Sequence, residues 1–167
     1  MPTNTYRALA TVTLGGSDSE IIFGSIPGSY RDLILVCQAR GTITTFTNVQ
    51  IQFNSDTAGN YSTVAMYGTG SATGTYYETT TNITLEQIAR SSDTSGAFTP
   101  IVAQIMDYSA TDKHKSVLTR NSSFLSGNAA AMVSKWASTS AITSVRLFPF
   151  AGSFATGSTF SLYGIAS

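Results

Sequence analysis

An all-β fold, a sandwich or a barrel, is what this sequence predicts, and three observations carry it. Turn-forming residues recur about every ten positions. The segments between them are rich in β-branched and aromatic residues. A helical period shows only at Thr84–Ala89, where Leu85 and Ile88 stand three apart behind a capping Thr84, so one short helical turn is expected there.

The strands follow in order. Residues 6–14 alternate loosely and stop at Gly15-Gly16; residues 19–26 form a second strand closed by Pro27-Gly28. Residues 32–40 are apolar on both faces, as in a central strand. Residues 48–54 alternate cleanly, with Val49, Ile51 and Phe53 inward and Gln50, Gln52 and Asn54 outward. Further strands are expected at 61–67, 76–85, 99–108, 115–122, 129–138, 141–150 and 158–165. In the last of these Phe160 and Leu162 point inward. Gly41–Thr47, Gly68–Thr75 and Ser91–Gly96 read as exposed loops. No composition shift splits the chain, so residues 1–167 are expected to form one β-sandwich domain with a short N-terminal arm at about 1–7.

Composition narrows the function classes. Only 11% of residues are charged and the formal net charge is zero, whereas Ser and Thr exceed a quarter of the chain. A typical soluble domain carries about 25% charged residues. Hydroxyl groups form hydrogen bonds without the desolvation cost of an ion, so such a surface packs readily against neighbours. Neutrality also argues against nucleic acid, which needs concentrated cations. Lys113, Lys115, Arg120 and Lys135 are the nearest to a cluster and read as a solvated face. Cys37 is the only cysteine; within Leu33–Cys37 it reads as a buried hydrophobe, and no disulfide is expected. The first residues do not have the makings of a leader, and no window approaches the roughly 18 apolar residues of a membrane span, so synthesis in a cytoplasm and no membrane partner are expected.

No reaction is legible. His114 is the sole histidine and reads as a turn residue, without a Gly-x-Ser-x-Gly elbow or a second His for zinc. Asn54–Asn60 places oxygen side chains at alternate positions but lacks the carboxylates and closing Glu of a calcium loop, so it reads as a turn. Glu20, Glu78 and Glu86 are too scattered to suggest paired carboxylates. No cofactor is expected. Tyr61, Tyr67, Tyr76 and Tyr77 suggest either an aromatic platform or cross-strand pairs, and Trp136 reads as core or interface.

Three phrases stand in order along the chain: Ser25-Ile-Pro-Gly-Ser-Tyr-Arg-Asp-Leu-Ile-Leu35, Phe53-Asn-Ser-Asp-Thr-Ala-Gly-Asn-Tyr-Ser62 and Gly157-Ser-Thr-Phe-Ser-Leu-Tyr-Gly-Ile165. With Tyr6–Thr11 before them, they resemble a group of small tailed-phage virion structural proteins over nearly the whole chain. The resemblance implies a jelly-roll-like antiparallel sandwich, a homotrimer, and a non-enzymatic role as a capsid decoration (cement) protein. Its partner would be the major capsid protein and its place the outer surface of the virion. On that reading Pro2–Arg7 is a docking arm, and Arg7, Arg31 and Arg40 pair with acidic capsid loops. The alternative is a tail or fibre component that binds a host receptor or glycan through Tyr76, Tyr77 and the Gly68–Thr75 loop. An enzyme such as a depolymerase would need two carboxylates facing each other across a cleft.

Overall fold

Gly, Asn, Asp and Ser turns cut the chain into strands whose alternate residues are buried. The structure is a computed structural model that describes residues 5–123 and 128–166. In it the first strands are β1 (Tyr6–Thr13), β2 (Ile21–Phe23), β3 (Asp32–Ala39) and β4 (Asn48–Phe53). Next come β5 (Tyr61–Gly68), β6 (Thr73–Thr80), β7 (Ile83–Gln87) and β8 (Thr99–Met106). The last are β9 (Lys115–Ser123), β10 (Asn128–Trp136), β11 (Val145–Pro149) and β12 (Thr159–Ile165). No helix occurs among the described residues.

All strand pairs are antiparallel, and they form an eight-stranded sheet, β1-β12-β3-β8-β9-β10-β5-β6, and a four-stranded sheet, β2-β11-β4-β7. Four pairs are nested along the chain: β1 with β12, β2 with β11, β3 with β8, and β4 with β7. That winding is a jelly roll. Two hairpins, β5–β6 and β9–β10, are inserted into it and widen the first sheet beyond β8. Leu33, Leu35 and Cys37 of β3, Ile51 and Phe53 of β4, and Phe160 and Leu162 of β12 meet in one buried core between the sheets. Burial pushes the Cys37 thiol pKa far up, which keeps it protonated and unreactive.

The three phrases that carry the resemblance occupy the joints of this fold. Asn54 and Ser55 both have positive φ, 52° and 57°, in a tight turn closed by Asp56 N donating to Phe53 O at 2.9 Å. Asn54 then ties that turn to the segment before β11: its Oδ1 accepts from Thr143 N (2.8 Å) and Ser144 N (3.1 Å), and its Nδ2 donates to Ala141 O (2.7 Å). In the first phrase, Pro27 O accepts from the Tyr108 hydroxyl, whose oxygen accepts from Tyr30 N at 3.2 Å. Asp32 accepts from Gln104 Nε2 and Asp107 N, both at 3.0 Å. In the third phrase, Ser158 Oγ accepts from Arg40 N at 3.2 Å, and Gly164 lies directly against the Tyr30 ring.

Several expectations change. The helical turn at Thr84–Ala89 is strand β7, running on to a bridge between Ala89 and Arg40. Asn48 pairs with Gln87 and Gln50 with Thr84, so β7 carries one extra residue opposite β4. That bulge lets Leu85 and Ile88, three apart, both be buried, which imitates the i, i+3 spacing of a helix. The single strand expected at 76–85 is two strands in different sheets, divided at Thr81-Asn82. Gly68 and Thr73–Thr75 belong to a β-hairpin whose tip is 69–72 rather than to a long loop. Gln52, expected outward, is buried, donating to Thr81 O (2.9 Å) and accepting from Arg146 (3.0 Å). Of the expected N-terminal arm, residues 1–4 lie outside the described residues. Tyr6 and Arg7 are strand residues paired with Ile165 and Gly164.

Candidate interaction surface

The inserted hairpins make a sheet extension with an unusual distribution of side chains. Alternation puts Thr63 of β5 and Ser134 of β10 on its underside, where their hydroxyls hydrogen-bond at 2.9 Å. Ala65 and Thr119 are buried on the same side. Strand β7, at the rim of the small sheet, packs beneath this part, where Met132 is buried alongside these smaller residues. On the opposite side Val64, Met66, Leu118, Val133 and Tyr77 are all exposed, Tyr77 at 69%.

These residues form a row. Tyr77 pairs with Val64, Val64 with Val133, and Val133 with Leu118. Directly opposed residues of antiparallel strands share a face, so four apolar side chains lie side by side across four strands. The row continues through Gln104 to Ile34, beside which Tyr6, Val102 and Arg120 line a shallow groove. Among the described residues the only charges on the outer face of the extension are Arg120 and Lys135; Lys115 and Glu78 point to the underside. Lys115, read from the sequence as part of a solvated face with Lys113, Arg120 and Lys135, is not solvated. It is fully buried, its Nζ donates to Lys113 O at 2.8 Å, and burial lowers its pKa.

The three candidate arginines do not form one patch. Arg7 and Arg31 lie at the same end of the large sheet, joined through the end of β12. Arg31 is exposed and its Nε stands 3.6 Å from Asp32. Arg40 is at the far end of β3, nine residues on from Arg31 and about 30 Å away at the rise of a strand. Its guanidinium donates to Thr94 O (2.8 Å), Ala97 O (3.2 Å), Ser91 O (3.1 Å) and Asp93 O (2.9 Å). That side chain braces the loop before β8, a role the sequence offered no sign of.

The tyrosines separate as well. Tyr76 and Tyr77 are successive residues of β6 and face opposite sides. Tyr77 belongs to the outer row, while Tyr76 meets Tyr67 beneath the sheet, with centroids 6.5 Å apart. Tyr61 is in the core, stacked on Trp136 at 6.3 Å. His114 is exposed in the turn between β8 and β9. Glu20 pairs with Arg146 on the small sheet, and Glu78 lies under β6. Among the described residues no three His, Cys, Asp or Glu side chains are grouped to hold a metal.

The Asn54–Asn60 segment is a clasp. Asp56 accepts from Ala58 N (2.9 Å), Asn60 Nδ2 (2.9 Å) and Trp136 Nε1 (2.8 Å). These donors, chiefly Asn60, hold its carboxyl below the usual range. A depressed carboxyl pKa contributes stability that is complete above the unfolded value and disappears as pH falls through the folded one. Asp56→Asn is expected to cost about 1 kcal/mol at neutral pH and to reduce the acid loss of stability below about pH 4. Urea titrations read by Trp136 emission check this, and an unchanged acid limb would refute it.

The chain matches no model of a known protein family and no curated protein.

Proposed function

We propose that this chain is a capsid decoration protein of a tailed phage, a non-enzymatic homotrimer that packs the outer face of its large sheet against neighbouring major capsid subunits. The observation that carries this reading is the uncovered Tyr77–Val64–Val133–Leu118 row, set in a broad face with almost no charge. Contiguous exposed apolar surface marks an interaction site. Eight strands spaced about 4.8 Å apart and about 27 Å long offer roughly 1,000 Å², above the roughly 800 Å² per partner of a stable interface. Arg120 and Lys135, in no ion pair among the described residues, suit a partner whose apolar contact is flanked by carboxylates. The three ordered phrases support a virion protein, and trimeric presentation would add avidity to modest contacts.

Two measurements test the proposal. Quantitative mass spectrometry of purified virions should find the chain at a copy number comparable to that of the major capsid protein. Val133→Asp, which puts an unpaired carboxylate in the middle of the row, should weaken binding to purified expanded capsids about tenfold or more. A copy number far below the capsid protein's would overturn the decoration role in favour of a tail or fibre component. The Tyr67–Tyr76 pair favours that second reading, with a glycan rather than a shell as partner.

A further inference from the structure

The two sheets end in four edge strands, β1 and β6 of the large sheet and β2 and β7 of the small one. An edge strand presents unpaired N–H and C=O groups to any chain that can pair with them, so edges are commonly kept short, bulged, charged or covered. Three of the four are blunted in these ways. Strand β1 carries Arg7 and breaks register between Ala8 and Ala10, β2 has three residues, and β7 is bulged opposite β4 and packs under the extension. Strand β6 is not blunted: its eight residues, Thr-Gly-Thr-Tyr-Tyr-Glu-Thr-Thr, pair with β5 in one unbroken register and include no Pro, Lys or Arg. We propose that β6 is a contact between two copies of this chain, which pair antiparallel about a two-fold axis with Tyr77 opposite Tyr77.

Hairpin geometry determines which backbone groups are on offer. Thr69 N donates to Ala72 O at 2.8 Å across Gly70, whose φ is 80°, and Ser71, so residues 69 and 72 are the bonded pair of a two-residue turn. Bonded and non-bonded pairs alternate along an antiparallel ladder. The N–H and C=O groups of Gly74, Tyr76, Glu78 and Thr80 are therefore directed at β5, and those of Thr73, Thr75, Tyr77 and Thr79 away from it. Among the described residues no backbone group bonds to that outer edge.

The composition of β6 suits a second β6. With Tyr77 opposite Tyr77, Thr75 stands opposite Thr79, and the three bonded pairs supply about six main-chain hydrogen bonds. The apolar rows of the two copies then meet end to end through an aromatic pair. Glu78, the only charge of the strand, opposes Tyr76, whereas centring the pair on Glu78 would set two carboxylates face to face. A formal net charge of zero leaves no long-range repulsion between copies. The pairing is also closed, since it covers both β6 edges and leaves only blunted ones. It does not rest on the proposed function; in a trimer, the same contact would join one copy to a copy of the next trimer.

Sedimentation equilibrium of the purified chain at about 0.5 mM, set against Thr75→Pro, tests the contact. That substitution removes an N–H directed at the second copy and none that bonds to β5, the setting in which an edge strand takes proline. The unsubstituted chain is expected to have at least twice the mass of the variant, and equal masses overturn the proposal. Val133→Asp, on the apolar row but two strands from the edge, should keep the full mass. A halved mass there would place the contact on the sheet face and overturn the proposal too. A second variant serves if Trp136 emission shows the proline chain unfolded. Opposed Cα atoms of a bonded pair are about 5.5 Å apart, within disulfide reach, and Cys37 is buried. Air oxidation should link Tyr77→Cys chains in pairs about tenfold or more faster than Val64→Cys chains, one strand further in, and equal rates overturn the proposal.

Discussion

Phe160→Ala should lower the unfolding free energy by about 3–5 kcal/mol. Phe160 is fully buried in β12, between Val12 of β1 and Cys37 of β3, and its ring centre lies 4.7 Å from that of Phe154. Phe154 is itself held from two sides, by bridges to Asp18 and Gly41 that knit three loops together. A cavity at Phe160 therefore has rigid walls and little means of collapsing. Domains of this kind have only about 5–15 kcal/mol in total, so the variant should unfold at a much lower urea concentration. Tyr163→Ala, on the outer side of the same strand, serves as the control and should cost much less. A loss for Phe160→Ala of under about 1 kcal/mol would mean that the walls do give way.

Gly164→Ala should cost about 1–3 kcal/mol through overpacking. A Cβ at Gly164 would stand 2.4 Å from Tyr30 Cγ and under 3 Å from both Cδ atoms, close to the root of the side chain rather than at a yielding tip. The ring cannot retreat easily. Tyr30 N is bound to the Tyr108 hydroxyl and Arg31 N to Ile165 O, which fixes the backbone on either side. Tyr30→Ala in the Gly164→Ala background should restore part of the loss, so the two substitutions are expected to couple favourably in a double-mutant cycle. Strict additivity would show that the ring does not rest on the glycine. The pair explains why Tyr30 in the first phrase and Gly164 in the third occur together: one residue is the seat of the other.

Most of the jelly roll was legible because period-2 alternation reports directly which side of a strand is buried. Val49, Ile51 and Phe53 are inward as the pattern requires, and so are Phe160 and Leu162. The reading failed where local spacing has two physical origins. Leu85 and Ile88 look helical because a β-bulge and a helix turn both bring residues three apart to one side. Residues 76–85 look like one strand because a change of sheet at Thr81-Asn82 leaves the composition unchanged. Tyr76 and Tyr77 suggested one platform because adjacency in sequence is easily taken for adjacency in space, whereas a strand sends neighbours to opposite faces.

The candidate surface was less legible still. Val64, Val133 and Leu118 alternate with Thr63, Ser134 and Thr119, and the pattern alone would turn the larger residues inward. The register reverses that: Thr63 and Ser134 share their face with Tyr61, Trp136, Val117 and Met132, which are buried, and the valines fall on the other side. By itself the sequence determined the β-class, the strand spacing, the low charge and the burial of the closing strand, because each is a local consequence of side-chain size, polarity and period. Only the tertiary structure decided which strands become neighbours, that Arg40 braces a loop, and that Tyr77 and Tyr76 serve two different surfaces. Those outcomes depend on long-range pairing, in which a residue's partner lies tens of positions away and no local pattern names it.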